Sequence, residues 1–262
     1  MIVRYLSDLH FEFQRDGGRS LVDSLPTDCD VLVLAGDIGV AHGGSLLRGL
    51  QLVLERFAAI PVLFVPGNHE FYGSGAPRYL DDAQRARRKG QEKVRDVCDR
   101  LASHANFVGG VDPWAWSHRG VKFVGATMWF GSPPLDAPTH LMGDYRMIPG
   151  FESWCTRESR AHLAFLERSV DSRTVVVTHH LPHEAAVGPR FRGHPLTQFY
   201  VHPDAEAVIH DASPIAWIHG HSHEALRERV GETLLLRNPF GYAPRDLVEG
   251  FSAEATLEVA SD

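Results

Sequence analysis

Apolar residues in this chain fall into short runs with two different periods. Ile2 to Ser7, Val31 to Ala35 and Val62 to Val65 are compact, mostly apolar stretches, which read as buried strands. Between the second and third, Leu46, Leu47, Leu50, Leu54 and Phe57 recur at helical spacing, which predicts a helix over Ser45 to Ala59. Pro77 to Ser103 reads as a long helix with mixed charges and a candidate break at Gly90. Further on, Val121 to Met128 and Thr174 to Thr178 are strands, and Thr156 to Val170 and Pro203 to Asp211 are helices. Ile215 to Ile218 reads as another strand, and Ala225 to Val230 pairs with Thr233 to Leu236 in a hairpin around Gly231. Gly131 to Phe151, rich in Pro and Gly, is a long loop, and Leu181 to His202 is irregular. Strands alternating with helices predict an α/β fold built on a buried, largely parallel or mixed sheet.

The chain has 262 residues, which suits one domain over residues 1–262. A net charge of −7 argues against non-specific nucleic-acid binding and anionic membranes. An anionic substrate stays open, because bound cations reverse the field locally. The basic cluster Arg85, Arg87, Arg88 and Lys89 is interleaved with acids and reads as a solvated helix face. Cys29, Cys98 and Cys155 suit neither a disulfide framework nor a zinc knuckle, so reduced thiols in a cytoplasmic protein are expected. Met1 leads straight into a strand without a signal-peptide pattern, and no apolar run approaches the roughly 20 residues that span a bilayer.

One count changes the picture. There are 16 histidines, and several sit in five short motifs: Asp8-Leu9-His10, Gly36-Asp37, Gly67-Asn68-His69-Glu70, Thr178-His179-His180 and Gly220-His221-Ser222-His223. Each follows a predicted strand, and in open α/β sheets ligands gather beyond the carboxyl ends of strands. Residues two apart on an extended chain point the same way, so Asp8 with His10, and His221 with His223, are expected to share an ion. The glycines before Asp37 and Asn68 permit tight turns and close backbone approach. Carboxylate, imidazole and amide oxygen without thiolate suit Mn, Fe, Zn, Co or Ni. A carboxylate bridging two such ions holds them about 3.5–4 Å apart, the spacing of two-metal hydrolases.

In this order the motifs resemble the calcineurin-like metallophosphoesterase superfamily over positions 8 to 223. The resemblance implies a four-layer α-β-β-α sandwich, two mixed sheets flanked by helices. It implies two divalent cations, with Mn or Fe favoured. Asp8, His10 and His223 would bind one with Asp37; Asn68, His179 and His221 would bind the other; and Asp37 would bridge. A hydroxide between the ions would attack the phosphorus of a small-molecule or nucleotide phosphomonoester or phosphodiester. Asn68 and His69 would contact the phosphoryl group, and His69 would protonate the leaving oxygen. Protein Ser/Thr phosphatases of the superfamily carry G-D-x-x-D-R-G and R-G-N-H-E. Here Val40 ends the first motif and Pro66 replaces the Arg of the second. The chain therefore looks more like the small bacterial or phage-type phosphohydrolases. A nuclease of the same superfamily, or a non-catalytic metal-binding module, are the alternatives.

Other residues are candidates by position. Arg146, in Asp144-Tyr145-Arg146, could clamp a substrate phosphate or pair with an Asp. His180 and His183 flank His179 as candidate supports or substrate contacts, and Tyr72 is a candidate pocket wall. Arg190, Arg192 and His194 read as exposed charges sooner than as a basic rim.

Overall fold

The three apolar runs near the N-terminus become parallel neighbours. In the computed structural model, which describes residues 1–73, 83–242 and 246–260, β1 (Ile2–Leu6), β2 (Val31–Ala35) and β3 (Val62–Val65) lie side by side. β4 (Phe107–Gly109) continues the parallel set beyond β3. A second sheet has the order β5 (Trp114–His118), β6 (Val121–Gly125), β7 (Thr174–Val177), β8 (Ala216–Ile218), β10 (Thr233–Arg237), β9 (Leu226–Val230). Its four central strands are parallel and its two edges antiparallel. β11 (Gly241–Tyr242) and β12 (Asp246–Leu247) form a short ribbon. β13 (Thr256–Glu258) returns to pair antiparallel with β1 and close the edge of the first sheet.

Strand alternation sorts the core into layers. Val31, Val33 and Ala35 of β2 join Val3, Leu63 and Val65 in facing Val175, Val177, Ile218 and Leu236 of the second sheet. The intervening Leu32 and Leu34, with Val62 and Phe64, face outward onto two helices. These are α2 (Ser45–Arg56), through Leu46, Leu50 and Val53, and α3 (Ala83–Leu101), through Val94, Val97 and Leu101. The short helix α1 (Arg19–Ser24) precedes them and adds Val22 to the same cluster. On the far side, Val124, Val176, Trp217 and Leu235 pack against Leu166 of α5 (Cys155–Ser169) and Val208 and Ile209 of α6 (Ala205–Ala212). The result is the expected sandwich of two mixed sheets flanked by helices. Among the described residues no helix is long and apolar enough to cross a membrane.

Element ends match the sequence reading to within a few residues. The long helix runs through Gly90 unbroken, while its expected start at 77–82 lies outside the described residues. So do the side chains of the basic cluster at 85–89. The long loop after β6 carries the five-residue helix α4 (Gly143–Met147). β4, β5 and β13 have no counterpart in the sequence reading.

Candidate metal centre

The five motifs meet where the parallel strands of both sheets end. β1 leads to Asp8, β2 to Asp37, β3 to Asn68, β7 to His179 and β8 to His221. The way the first pair converges differs from the sequence argument. Asp8 and His10 are not on extended backbone; their φ angles are 52° and 46°. Asp37 (55°) and His221 (72°) are also left-handed. Tight turns, not strand alternation, bring these side chains together. Four non-glycine residues in that strained region at one place are the kind of cost proteins accept at functional sites. The glycines do what their position suggested. A Cβ on Gly67 would lie 2.3 Å from Asp37 Oδ1 and 2.6 Å from His179 Cε1.

The seven predicted ligands fall into two groups that could each hold an ion. Asp8, His10 and His223 form one, and Asp37, His179 and His221 form the other, with ligand atoms in each mutually within 4.8 Å. Asn68 joins the second group. Its Oδ1 is 3.0 Å from His179 Nε2 and 3.1 Å from His221 Nδ1, and those two nitrogens are 3.1 Å apart. In the first group His10 Nε2 and His223 Nε2 are 3.2 Å apart, and Asp8 Oδ1 is 3.6 Å from His223 Nε2.

Supporting hydrogen bonds decide which atoms face inward. His179 donates through Nδ1 to the Ala35 carbonyl at 2.9 Å, which leaves the lone pair on Nε2. Asn68 gives its amide hydrogens to Tyr72 Oη (3.0 Å) and Asp144 Oδ1 (2.8 Å), which leaves Oδ1 pointing at the cluster. His10 Nδ1 lies 3.2 Å from Glu12 Oε1, which turns Nε2 toward His223. Lone pairs therefore converge with few protons to share between them. Asp8 Oδ2 is buried without a hydrogen-bond partner among the described residues. Such a donor set fits a divalent cation. The surrounding field is negative: burial works against a charge on His179, yet Asp37 outweighs it and holds the imidazole pKa up at about 10, so a cation would bind there by displacing a proton from Nε2. The cluster is built to surround positive charge.

His69 comes within 4.8 Å of His10 and Asp37 as a third group of possible ligand atoms, but its ring has other partners. Its backbone N–H donates to Asp37 Oδ1 at 2.8 Å, and its Nδ1 lies 2.9 Å from Glu12 Oε1. Burial opposes its protonation, but the Asp37 charge and the Glu12 hydrogen bond outweigh that and hold its pKa up at about 9. Glu12 itself is buried against its charge, and hydrogen bonds from His10 and His69 bring its pKa down to about 2. Glu70 fastens the loops from beneath, accepting N–H bonds from Asp37 (3.0 Å), Ile38 (2.7 Å) and Gly67 (2.7 Å).

A family model for calcineurin-like phosphoesterases matches residues 1–225. The chain belongs to the calcineurin-like phosphoesterase family. Members are metal-dependent hydrolases of phosphoesters, consistent with the two ligand groups described above. An uncharacterized protein, L509, of Acanthamoeba polyphaga mimivirus is 25% identical over 280 residues, spanning 92% of this chain and 91% of its own length. Among solved structures, the phosphopantetheinyl hydrolase PptH from Mycobacterium tuberculosis superposes with a TM-score of 0.68 at 18% identity, covering 93% of this chain and 90% of that one. At that identity the likeness shows the fold.

Within this family member, the remaining candidates separate. Tyr72 is at the site: its ring lies 4.3 Å from that of His69, and its hydroxyl donates to Asp144 Oδ1 at 2.8 Å. Arg146 is not brought in; it is exposed and has no hydrogen-bond or ion-pair partner among the described residues. His180 is fully buried behind His221, ring centroids 4.4 Å apart, and touches Trp129. His183 caps a 3-10 turn, accepting from the Ala185 N–H at 2.9 Å. That acceptor role puts its proton on Nε2, toward Glu206 at 3.4 Å, so the His183, Glu206, His210 group reads as a hydrogen-bonded surface cluster. Sequence reasoning missed Glu12 and Asp144. Glu12 was visible as the next alternate polar residue after Asp8-x-His10, but nothing local revealed that it reaches His69.

Proposed function

We propose that this chain is a dinuclear metal-dependent phosphoesterase, hydrolysing a phosphomonoester or phosphodiester of a small molecule or nucleotide. The observation that carries this reading is the place of Asp37 Oδ2, 3.5 Å from His179 Nε2 and 3.9 Å from His10 Nε2. One carboxylate oxygen thus serves both ligand groups. Asp8, His10 and His223 would hold one cation with Asp37, and Asn68, His179 and His221 the other. Their oxygen and nitrogen donors suit Mn or Fe, and also Zn, Co or Ni. Two bound cations supply Lewis acidity and hydroxide at neutral pH.

The chain's own part centres on His69. Its Nδ1 is engaged by Glu12, so its Nε2 is the atom that carries a proton to the leaving oxygen. Asn68, with its amide hydrogens committed to Tyr72 and Asp144, presents only its oxygen to the cluster. Leu9, Phe11, Phe71 and Trp129 are buried around these loops and keep their backbone dry and fixed. We place the protein in the cytoplasm, on its three unpaired thiols, and read residues 1–262 as one domain. The mycobacterial hydrolase supports the fold and leaves the ester open.

The test is to count bound metal and to assay the metal-loaded protein on chromogenic monoester and diester substrates. Two ions per chain and chelator-sensitive hydrolysis are expected. Asp37→Ala should lose both ions and the most activity. Full metal-dependent activity in Asp37→Ala on these substrates, or in His69→Ala on an alkyl phosphate, would overturn the mechanism.

A further inference from the structure

The irregular stretch from Leu181 to His202 folds into three 3-10 turns, Glu184–Ala186, Pro189–Phe191 and Thr197–Phe199. Between them they leave a hollow of about 60 Å³, walled by Leu181, Val187, Phe191 and Leu196. Its polar neighbours are turned away. The Thr197 hydroxyl donates to the Phe191 carbonyl at 2.6 Å, and His194 Nδ1 accepts the Leu196 N–H at 3.2 Å. A water held there would find few of the two to four partners it needs. The hollow suits carbon better than water.

It also adjoins the metal-ligand groups at three points. Leu181 comes two residues after His179, and Ser222, which lines the hollow, directly follows His221. Tyr200 forms the partition, its ring in the hollow's wall and 4.5 Å from the His221 ring. A substituent on a phosphorus held at the metal groups would enter this recess by passing Tyr200. One water occupies about 10–15 Å³ by the same measure, so the recess takes a group of roughly four heavy atoms.

We propose that this hollow is a substrate subsite for a compact apolar substituent, such as a branched alkyl group, carried by the phosphoester. The protein then prefers esters of small apolar alcohols over those of sugars, whose hydroxyls would be left unpaired among Leu181, Val187 and Leu196. This rests on the reading of the metal groups as the phosphoester site. It extends that reading from reaction class to substrate class.

Binding of non-hydrolysable phosphonates to the manganese-loaded protein tests it without relying on turnover. 3-Methylbutylphosphonate should bind at least tenfold tighter than methylphosphonate, about 1.4 kcal/mol. Leu196→Trp, which fills the hollow, should bring that ratio close to one. Phe191→Ala, which widens it from an exposed turn, should move the preference to a longer chain and guards against a Leu196 variant that fails to fold. In the wild type, kcat/KM for 3-methylbutyl phosphate should exceed that for glycerol phosphate by a similar factor. If both phosphonates bind equally, or the ratio survives both substitutions, the subsite is wrong and the phosphoester site stands. If neither phosphonate binds the metal-loaded protein, the site reading fails and the subsite fails with it.

Discussion

Glu12 Oε1 lies 2.9 Å from Nδ1 of His69 and fixes which edge of that ring faces the metal groups. The same oxygen is 3.2 Å from Nδ1 of the proposed ligand His10. One carboxylate thus orients a metal ligand and the proposed proton donor together. If His69 protonates the leaving oxygen, its loss should matter only where the leaving group needs a proton. Glu12→Ala and His69→Ala should cost about 10²–10⁴ in kcat on an alkyl phosphate. On 4-nitrophenyl phosphate, whose leaving group departs as the anion, His69→Ala should cost far less, while Glu12→Ala, which also frees the proposed ligand His10, keeps part of its cost. Equal losses on the two substrates would show that neither residue serves the leaving group.

Asp144 acts through Asn68. Its Oδ1 accepts from the Asn68 amide at 2.8 Å and from the Tyr72 hydroxyl at 2.8 Å, fully buried from solvent. Without that acceptor the amide is free to rotate and present N–H₂ to a cation. Asp144→Leu should therefore weaken metal binding by about 10–100-fold, as for other supports of metal ligands. Asp144→Asn keeps a carbonyl oxygen in the same place and should restore most of the affinity. Titration of the apo protein with Mn²⁺ separates the two variants; if Asp144→Leu binds metal as tightly as wild type, Asn68 does not need this partner.

That the proposed ligands would gather was legible because each sits just past a short apolar run, and strands of a parallel sheet end together. The mode of convergence was not legible. Asp8 and His10 meet through left-handed turns, with φ of 52° and 46°; Asp and His tolerate that region better than most residues, but too seldom for the sequence alone to place it. Glu12 and Asp144 were missed as supports for a similar reason. Their partners lie 57 and 76 residues away, beyond any local pattern. β13 was missed because its partner β1 lies at the other end of the chain. β5 is a half-exposed edge strand in which Trp114 and Trp116 alternate with Ala115 and Ser117, turned by Arg119 and Gly120 rather than by Asn-Gly.

Gly67 tests how closely the loops must approach. It lacks a side chain where a Cβ would stand 2.3 Å from Asp37 Oδ1, 2.6 Å from His179 Cε1 and 2.7 Å from the Asp37 amide nitrogen. Two of these neighbours are side chains of proposed ligands and the third is backbone, so none can yield without moving the site. Gly67→Ala should keep the sheets, which are built from residues that do not touch it, and lose metal and activity together. A melting temperature within a few degrees of wild type, with metal content near zero, is the expected pair of measurements. Normal metal content in the variant would mean that the loops have room to spare.

His162 makes acid stability a separate test from metal binding. It is buried on α5 against the second sheet, and its Nδ1 accepts the Met128 N–H at 3.2 Å. Burial pushes its pKa down from 6.5 to about 4, against the pull of Glu158 and Asp112. Above pH 6.5 both the folded and the unfolded chain carry it neutral, and it does not affect stability. As pH falls toward 4, the unfolded chain takes up a proton that the folded chain refuses, so stability drops with falling pH. At 1.36 kcal/mol per pH unit, the loss is about 2 kcal/mol by pH 5 and about 3 kcal/mol near pH 4. His162→Gln keeps an acceptor for the Met128 N–H and removes the titration. Urea unfolding of the apo proteins at pH 7.5 and pH 5 should show the wild type losing about 2 kcal/mol more than the variant. Other buried histidines, such as His180 and His219, titrate equally in both proteins and cancel in the difference. Parallel losses in the two proteins would mean that His162 takes its proton in the folded state without cost.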